Sequence, residues 1–310
     1  FFFFFTIFTL FQLNDISDLF VLSGYITALL IFYFSSKSDF NIGFYIKKSL
    51  VFLGFIFLLT AIMSFGSGSS VSLKGQYQGY FGNANTFAGL AGLFFTLFFC
   101  QYLQSQKIIS KYLYIVSSFI LLVFIFLAFS RGVILSVSAV AIFSLFKFGR
   151  KFKLLLVLFV GLIGFYYLLF GKIQSLDLNR DVFEDTGRLL IFQEYYIALS
   201  ERLFFFGTGV SIEMGRIKSE LSYLDVWLSS GLGLLGFLLY LFRSLYLSFR
   251  LSDVQSIWAT SLFLYICISS IFEGYVANVA SIPSILFYII PAIIWMYYRS
   301  NRLTLSNRSA

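Results

Sequence analysis

No histidine occurs anywhere in the 310 residues. That absence removes the usual general base near neutral pH and the commonest metal ligand together. Charge is scarce as well: 12% of the residues are Asp, Glu, Lys or Arg, about half of the ~25% in a typical soluble domain. Acids are scarcer than bases, 14 against 22, which leaves a net charge of +8. A basic excess can signal nucleic acid, but here the cations fall in short loops and not on a soluble domain, so no nucleic-acid partner is expected. Of the 2 cysteines, Cys100 ends one apolar run and Cys267 sits inside another, and no disulfide framework follows. An initiating methionine is also missing. The chain opens FFFFFTIFTLF, and we expect it to start inside a membrane span, with a truncated N terminus.

What is present is apolar. A hydrophobic share of 59% and a mean hydropathy of +0.90 describe a polytopic all-α integral membrane protein whose first partner is the lipid bilayer. Apolar runs long enough to cross it predict approximately ten spans, at 1–13, 19–34, 49–65, 86–103, 112–129, 132–148, 152–171, 222–242, 255–272 and 282–298. Calling alternate loops inside collects Lys37, Lys47, Lys48, Lys107, Lys111, Lys147, Arg150, Lys151, Lys153, Arg243 and Arg250 there, with Arg299, Arg302 and Arg308 in the tail. Most acids, Glu273 among them, fall in the opposite loops. The positive-inside rule then puts the C terminus in the cytoplasm.

Two outward loops are long, Gly66 to Asn85 and Lys172 to Leu221. Connections of that length are usually functional or disordered. In the second, a helical reading of RLLIFQEYYIALSERLFFF gathers Arg188, Glu194, Glu201 and Arg202 into one sector of roughly 140°. This predicts an interfacial helix whose charges face an aqueous cavity or, on the alternative reading, one that only seals the loop against lipid. With no repeat, linker or soluble domain visible, one membrane domain spans residues 1–310.

The stretch LAFSRGVILS interrupts two apolar runs with Arg131. An arginine at the centre of a span costs about 2.5 to 3.5 kcal/mol, so the residue is expected at a tight outward corner, Ser130–Arg131–Gly132. There its guanidinium could snorkel to headgroups or form a fixed cation at the bottom of a cavity. Its planar donor fork suits a diphosphate better than lysine would.

Four segments together resemble the O-antigen ligase and O-antigen polymerase superfamily: GYFGNANTFAGLAGLFF (Gly79 to Phe95), FSRG (Phe129 to Gly132), GRLLIFQEYYIALSERLFFFGTG (Gly187 to Gly209) and YLDVWLSSGLGLLGFLLYL (Tyr223 to Leu241). The resemblance covers roughly residues 79–241 and implies a helical bundle like the GT-C glycosyltransferases. It would act on undecaprenyl-diphosphate-linked glycans at the periplasmic or outer face of the bacterial inner membrane. Chain-length regulator and flippase proteins would be further partners. The family's two arginines fall on Arg131 and Arg188. Its ligases carry a histidine near the position of Ser222, upstream of Gly233; serine there points to the polymerase branch, with a ligase or another oligosaccharyl transferase as the alternative. Ala84 also stands where the family often has proline.

Glycosyl transfer from a lipid diphosphate needs charge stabilisation on the leaving group and a base for the acceptor hydroxyl. Arg131 and Arg188 would supply the first. Candidate bases are Glu194, Glu220 and Asp225, unless each merely pairs with a nearby arginine. Arg180, Arg202, Arg216 and Lys218 would guide a second anionic carrier or an acidic glycan. Asn83 and Asn85 would line the cavity mouth or, the preferred reading for the pair, cap the helix that follows. Tyr77, Tyr80, Tyr195, Tyr196 and Tyr223 could stack on sugars. In DVFEDTGR, Asp181, Glu184 and Asp185 could hold Mg²⁺ or Mn²⁺, but an acidic helix start explains them more simply, so no cofactor is expected. A flippase of the same lipid-linked sugars is the rival from another class. Spans nearly free of charge argue against it.

Overall fold

The computed structural model describes residues 30, 33, 42–66, 71, 76–148, 197, 223, 224, 226, 227, 232–251, 256–273 and 282–306. Among them the chain is all-helical, with no named strand and one isolated bridge between Val71 and Tyr77. The helices are α1 (Ile42–Gly66), α2 (Ala84–Gln104), α3 (Ile108–Leu127), α4 (Arg131–Phe148), α5 (Gly233–Arg250), α6 (Ile257–Ser269) and α7 (Ile282–Ser306). By length and composition, α1, α2, α3 and α7 are long and apolar enough to cross a membrane. The interfacial helix and the loop 172–221 expected from the sequence lie outside the described residues.

The sequence explains how these helices start and pack. Asn83 has extended backbone (φ −139, ψ 120), and its side chain accepts from Asn85 N and Thr86 N, so it caps α2 as expected. An N-cap of this kind contributes about 1 kcal/mol. Asn83→Ala is therefore expected to lower the unfolding midpoint in detergent while Asn83→Asp preserves it, as circular dichroism melts would show. Within the helices, serines fold back on their own carbonyls: Ser118 donates to Tyr114 O at 2.8 Å, Ser136 to Gly132 O at 2.7 Å and Ser244 to Tyr240 O at 2.7 Å. Such i to i−4 bonds hide hydroxyls where lipid offers no partner.

α2 and α6 form the centre. Nearly every residue of α2 from Phe87 to Gln101 is buried, and α6 buries Trp258, Leu262, Phe263, Tyr265 and Ile266. Gly92 lets the two helices close: a Cβ there would lie 2.8 Å from Tyr265 Cζ and 2.8 Å from Val133 Cγ1 of α4. Tyr265 OH donates to Gly89 O at 2.8 Å, and Ser144 Oγ of α4 meets Ser261 Oγ of α6 at 2.9 Å. Close approach through small residues is how helices associate where solvent supplies no hydrophobic drive. Cys100 and Cys267 are buried and free, consistent with the absence of a disulfide framework.

Several boundaries differ from the hydropathy reading: α1 starts at Ile42 and α3 at Ile108, so Lys47, Lys48 and Lys111 lie in helices and not in loops. The span expected at 222–242 is helical at Tyr223, Leu224, Val226 and Trp227, and α5 then runs from Gly233 through Arg243 to Arg250. Arg243 is thus in a helix and not a loop. Its guanidinium lies 5.2 Å from the Trp295 ring centroid and that of Arg250 4.9 Å from the Tyr246 ring. The aromatic faces let the helix continue past its apolar stretch. α7 likewise extends past residue 298 and takes in Arg299 and Arg302.

Candidate functional site: the Arg131 end of the bundle

The bundle has two chemically different ends. At one, Lys47 Nζ donates to Gln104 Oε1 at 3.4 Å, Lys147 Nζ donates to Phe249 O and Leu251 O at 3.1 and 3.3 Å, and Gly43 abuts Ile293 and Tyr297. Lys48, Lys107, Lys111, Arg250 and Arg299 share that end, with Arg243 two turns inside it. At the other end Arg131 is the sole cation among the described residues and Glu273 the sole carboxylate.

Arg131 is placed there by the expected corner. α3 closes with Ala128 N donating to Phe124 O and Phe129 N to Phe126 O, both at 3.0 Å. Phe129 then takes φ 53, a left-handed conformation that a bulky residue rarely adopts and that costs about 1 to 2 kcal/mol. This reversal lets α4 start at Arg131 after a three-residue turn. The Arg131 side chain is exposed, Ser130 is buried, and Ile134 N donates to Ser130 O at 3.1 Å. No acid occupies the first turn of α4. Backbone N–H groups of a first helical turn and a guanidinium are both donors aimed at anions, so an anionic group has a matched place here.

The GYFGNANTF segment is brought to the same corner. Tyr77 N donates to Leu127 O at 3.0 Å, which ties the α1–α2 loop to the last residue of α3. The Tyr77 ring stacks on Phe124 at 5.1 Å and meets Phe87 edge-on at 4.9 Å. Its hydroxyl donates to Ala61 O at 2.6 Å and contacts Ser64 Oγ. Tyr77 is 2% exposed, so its expected role as a sugar platform is replaced by that of an anchor holding α1, α2 and α3 together. Gly79 (φ 56) and Gly82 (φ 65) take left-handed backbone on either side of Tyr80 and Phe81, which explains why glycines flank that pair. The turn leaves Tyr80 64% and Phe81 45% exposed, and Asn83 and Asn85 are exposed beside them. The Tyr80 ring is thus exposed, while the side chain of Asn83 is engaged in capping.

The end of α6 closes the corner from a third side. A Cβ on Gly132 would lie 2.6 Å from Phe272 Cβ, which holds the backbones of the corner and the 270–273 turn in contact. That turn is tightened by Phe272 N and Glu273 N, both donating to Ser269 O at 3.0 Å. Chain geometry then keeps the Arg131 and Glu273 Cα atoms within about 13 Å of each other. Glu273 was not among the base candidates read from the sequence. The available signal was its position directly after a span, on the side of Arg131. Tyr223, half-buried, donates its hydroxyl to Cys267 O at 2.8 Å, binding the fourth resembling segment to α6 one turn inside this end. Its polar tip is therefore occupied.

Arg188, Glu194, Glu220, Asp225, Arg180, Arg202, Arg216, Lys218 and Ser222 lie outside the described residues, as do the acids of DVFEDTGR. Among the site residues named from the sequence, Arg131, Tyr77, Tyr80, Asn83 and Asn85 are brought to one end, with Tyr77 buried there and Asn83 engaged in capping. The chain matches no protein-family model, and no curated protein matches it.

Proposed function

We propose that this chain is a membrane glycosyltransferase of about ten spans and GT-C-like architecture. It polymerises undecaprenyl-diphosphate-linked oligosaccharide repeat units into O-antigen, capsule or exopolysaccharide. It works in the bacterial inner membrane with its active face periplasmic and its C terminus cytoplasmic. The observation that supports this best is the approach of two resembling segments at one corner: Tyr77, just before the first, is bonded to Leu127, just before the second.

In this reading the growing glycan sits with its anomeric carbon bonded to the diphosphate of its carrier. The carbon–oxygen bond to the diphosphate breaks, and undecaprenyl diphosphate departs with the electron pair. A bond forms from the same carbon to a hydroxyl of the next repeat unit, whose proton passes to a carboxylate. Arg131 and Arg188 hold the diphosphate as its charge grows, which lowers the barrier if they bind the transition state more strongly than the substrate. Glu194, Glu220 and Asp225 are candidate bases, and Glu273 joins them on the strength of its place beside the corner. Arg180, Arg202, Arg216, Lys218, Asn85 and Ser222 bind substrate. Tyr80 offers a ring face.

Purified protein in detergent should lengthen purified lipid-linked repeat units, and should do so fully in EDTA because no step calls on a metal. Detergent abolishes compartments, so a flippase would leave the units unchanged. That result, seen by gel separation of the products, would falsify the polymerase reading. Transfer to lipid A core acceptors in place of chain growth would move the chain to the ligase branch. Wild-type chain lengths from Glu273→Gln would remove that residue from the bases.

A further inference from the structure

The end of the bundle away from Arg131 carries a second feature, where α1, α2 and α3 join. Phe55, Phe98 and Tyr114, one from each helix, form a single aromatic junction: Phe55–Phe98 at 4.7 Å, Phe55–Tyr114 stacked at 6.3 Å and Phe98–Tyr114 stacked at 6.0 Å. Lys48 precedes Phe55 by two helical turns, so it shares the face of that ring and lies about 10 Å nearer the end, and Lys107 is the N-cap residue of the helix that carries Tyr114. Both helices run toward Arg131 from this end, so the two lysines stand at the same level. Lys111, one turn further along α3, lies 5.3 Å from the Tyr102 ring of α2. Lys48 lies 4.3 Å from the Phe44 ring, and Lys47 is tied to Gln104. Lys48, Lys107 and Lys111 are exposed, and no carboxylate accompanies them among the described residues.

An apolar strip begins beside these charges. Phe52, Ile56, Leu59 and Met63 follow Lys48 at helical spacing along one stripe of α1, and they are 66, 42, 61 and 69% exposed. A soluble anion would satisfy the lysines and leave the strip bare; an uncharged lipid would cover the strip and leave three ammonium groups unmatched. A ligand with one or more phosphates and a long acyl chain matches both. We infer that the α1–α2–α3 junction is a binding site for an anionic phospholipid, with its phosphate among Lys48, Lys107 and Lys111 and an acyl chain along Phe52 to Met63. The attraction of juxtamembrane cations for anionic leaflets is general. What is specific here is that exposed lysines on α1 and at the start of α3 flank one aromatic junction, and that an exposed apolar stripe begins one turn after Lys48. The site stands at the opposite end from the proposed catalytic corner and does not depend on the polymerase reading.

The test is native mass spectrometry of the full chain in a neutral detergent, titrated with phosphatidylglycerol or with phosphatidylcholine of the same acyl chains. Phosphatidylglycerol should be retained with about tenfold higher affinity. The triple variant K48Q/K107Q/K111Q should lose that preference and K48R/K107R/K111R should keep it. The charge-matched control R250Q/R299Q/R302Q, altered at the same end but away from the seam, should also keep it. Equal loss in the control would mean a diffuse field, and equal retention of both lipids in the wild type would mean an ordinary annulus. Displacement by millimolar glycerol phosphate would mean a soluble-anion site. Each of these outcomes overturns the inference. Circular dichroism melts of every variant separate lost binding from lost folding.

Discussion

Arg131→Ala is expected to abolish long-chain polysaccharide while leaving protein level and single-unit product intact. Loss of one preorganised donor at a developing anion typically lowers turnover by about 10² to 10³, enough to leave no ladder of long chains on a gel. The loss cannot be attributed to unfolding, because the guanidinium is exposed and sits at the first position of α4. A cation there opposes the helix dipole, so its removal stabilises the helix by about 0.3 to 1 kcal/mol, if it changes stability at all. Arg131→Lys separates charge from geometry: lysine keeps the charge and loses the planar fork, so partial activity with shortened chains is the expected result. Arg188→Ala should match Arg131→Ala if both clamp one diphosphate. Normal chain lengths in Arg131→Ala would return the corner to a simpler role, an arginine that reaches headgroups.

The largest stability effect is expected at Gly92→Ala. The added methyl would lie 2.8 Å from Val133 Cγ1 and 2.8 Å from Tyr265 Cζ, and would press on the Tyr265 hydroxyl. None of these groups has room to retreat: Tyr265 is fully buried and its hydroxyl is bonded to Gly89 O at 2.8 Å. Overpacking of this kind costs about 1 to 3 kcal/mol and should appear as a clear drop in the unfolding midpoint in detergent. Tyr265→Phe alone loses a buried hydrogen bond to Gly89 O, a carbonyl that keeps its place in the helix ladder of α2, at a cost of about 0.5 to 1.5 kcal/mol. In the Gly92→Ala background the same change also removes the atom nearest the new methyl, so it should cost less there. That sub-additive cycle is the signature of direct contact. Simple additivity would show that the α2–α6 seam does not close at Gly92.

Much of the helical framework is legible in the chain, and the reason is specific to membranes. A span must be apolar along its whole length, so hydropathy marks α2, α3 and α4 to within a few residues of their observed ends. The corner at Ser130–Arg131–Gly132 is legible for the same reason, since a lone arginine between two apolar runs is cheap only at a turn. The capping of α2 by Asn83 could also be read, because capping needs only local spacing. By contrast, Arg243 looked like a loop residue because hydropathy counts its charge and cannot see Trp295 beneath it. Tyr77 and Tyr80 were indistinguishable as interfacial tyrosines until one proved to be buried among Phe87 and Phe124 and the other open. The place of Glu273 beside Arg131 is not legible in the sequence, because it runs through Gly132 and Phe272, residues 140 apart in the chain.

By itself the sequence determined that this is a helical protein for an apolar medium, that charge is scarce in its apolar runs, and that no histidine stands among these 310 residues. Each of these is a property of composition or of spacing along one helix. Only the tertiary structure decided which turns share an end, that Tyr77 bonds the α1–α2 loop to the last residue of α3, and that Phe55, Phe98 and Tyr114 join three helices at the opposite end. Those facts depend on which helices touch, and helix contact in this fold is set by glycines and aromatic rings meeting across chain separations that no local pattern records.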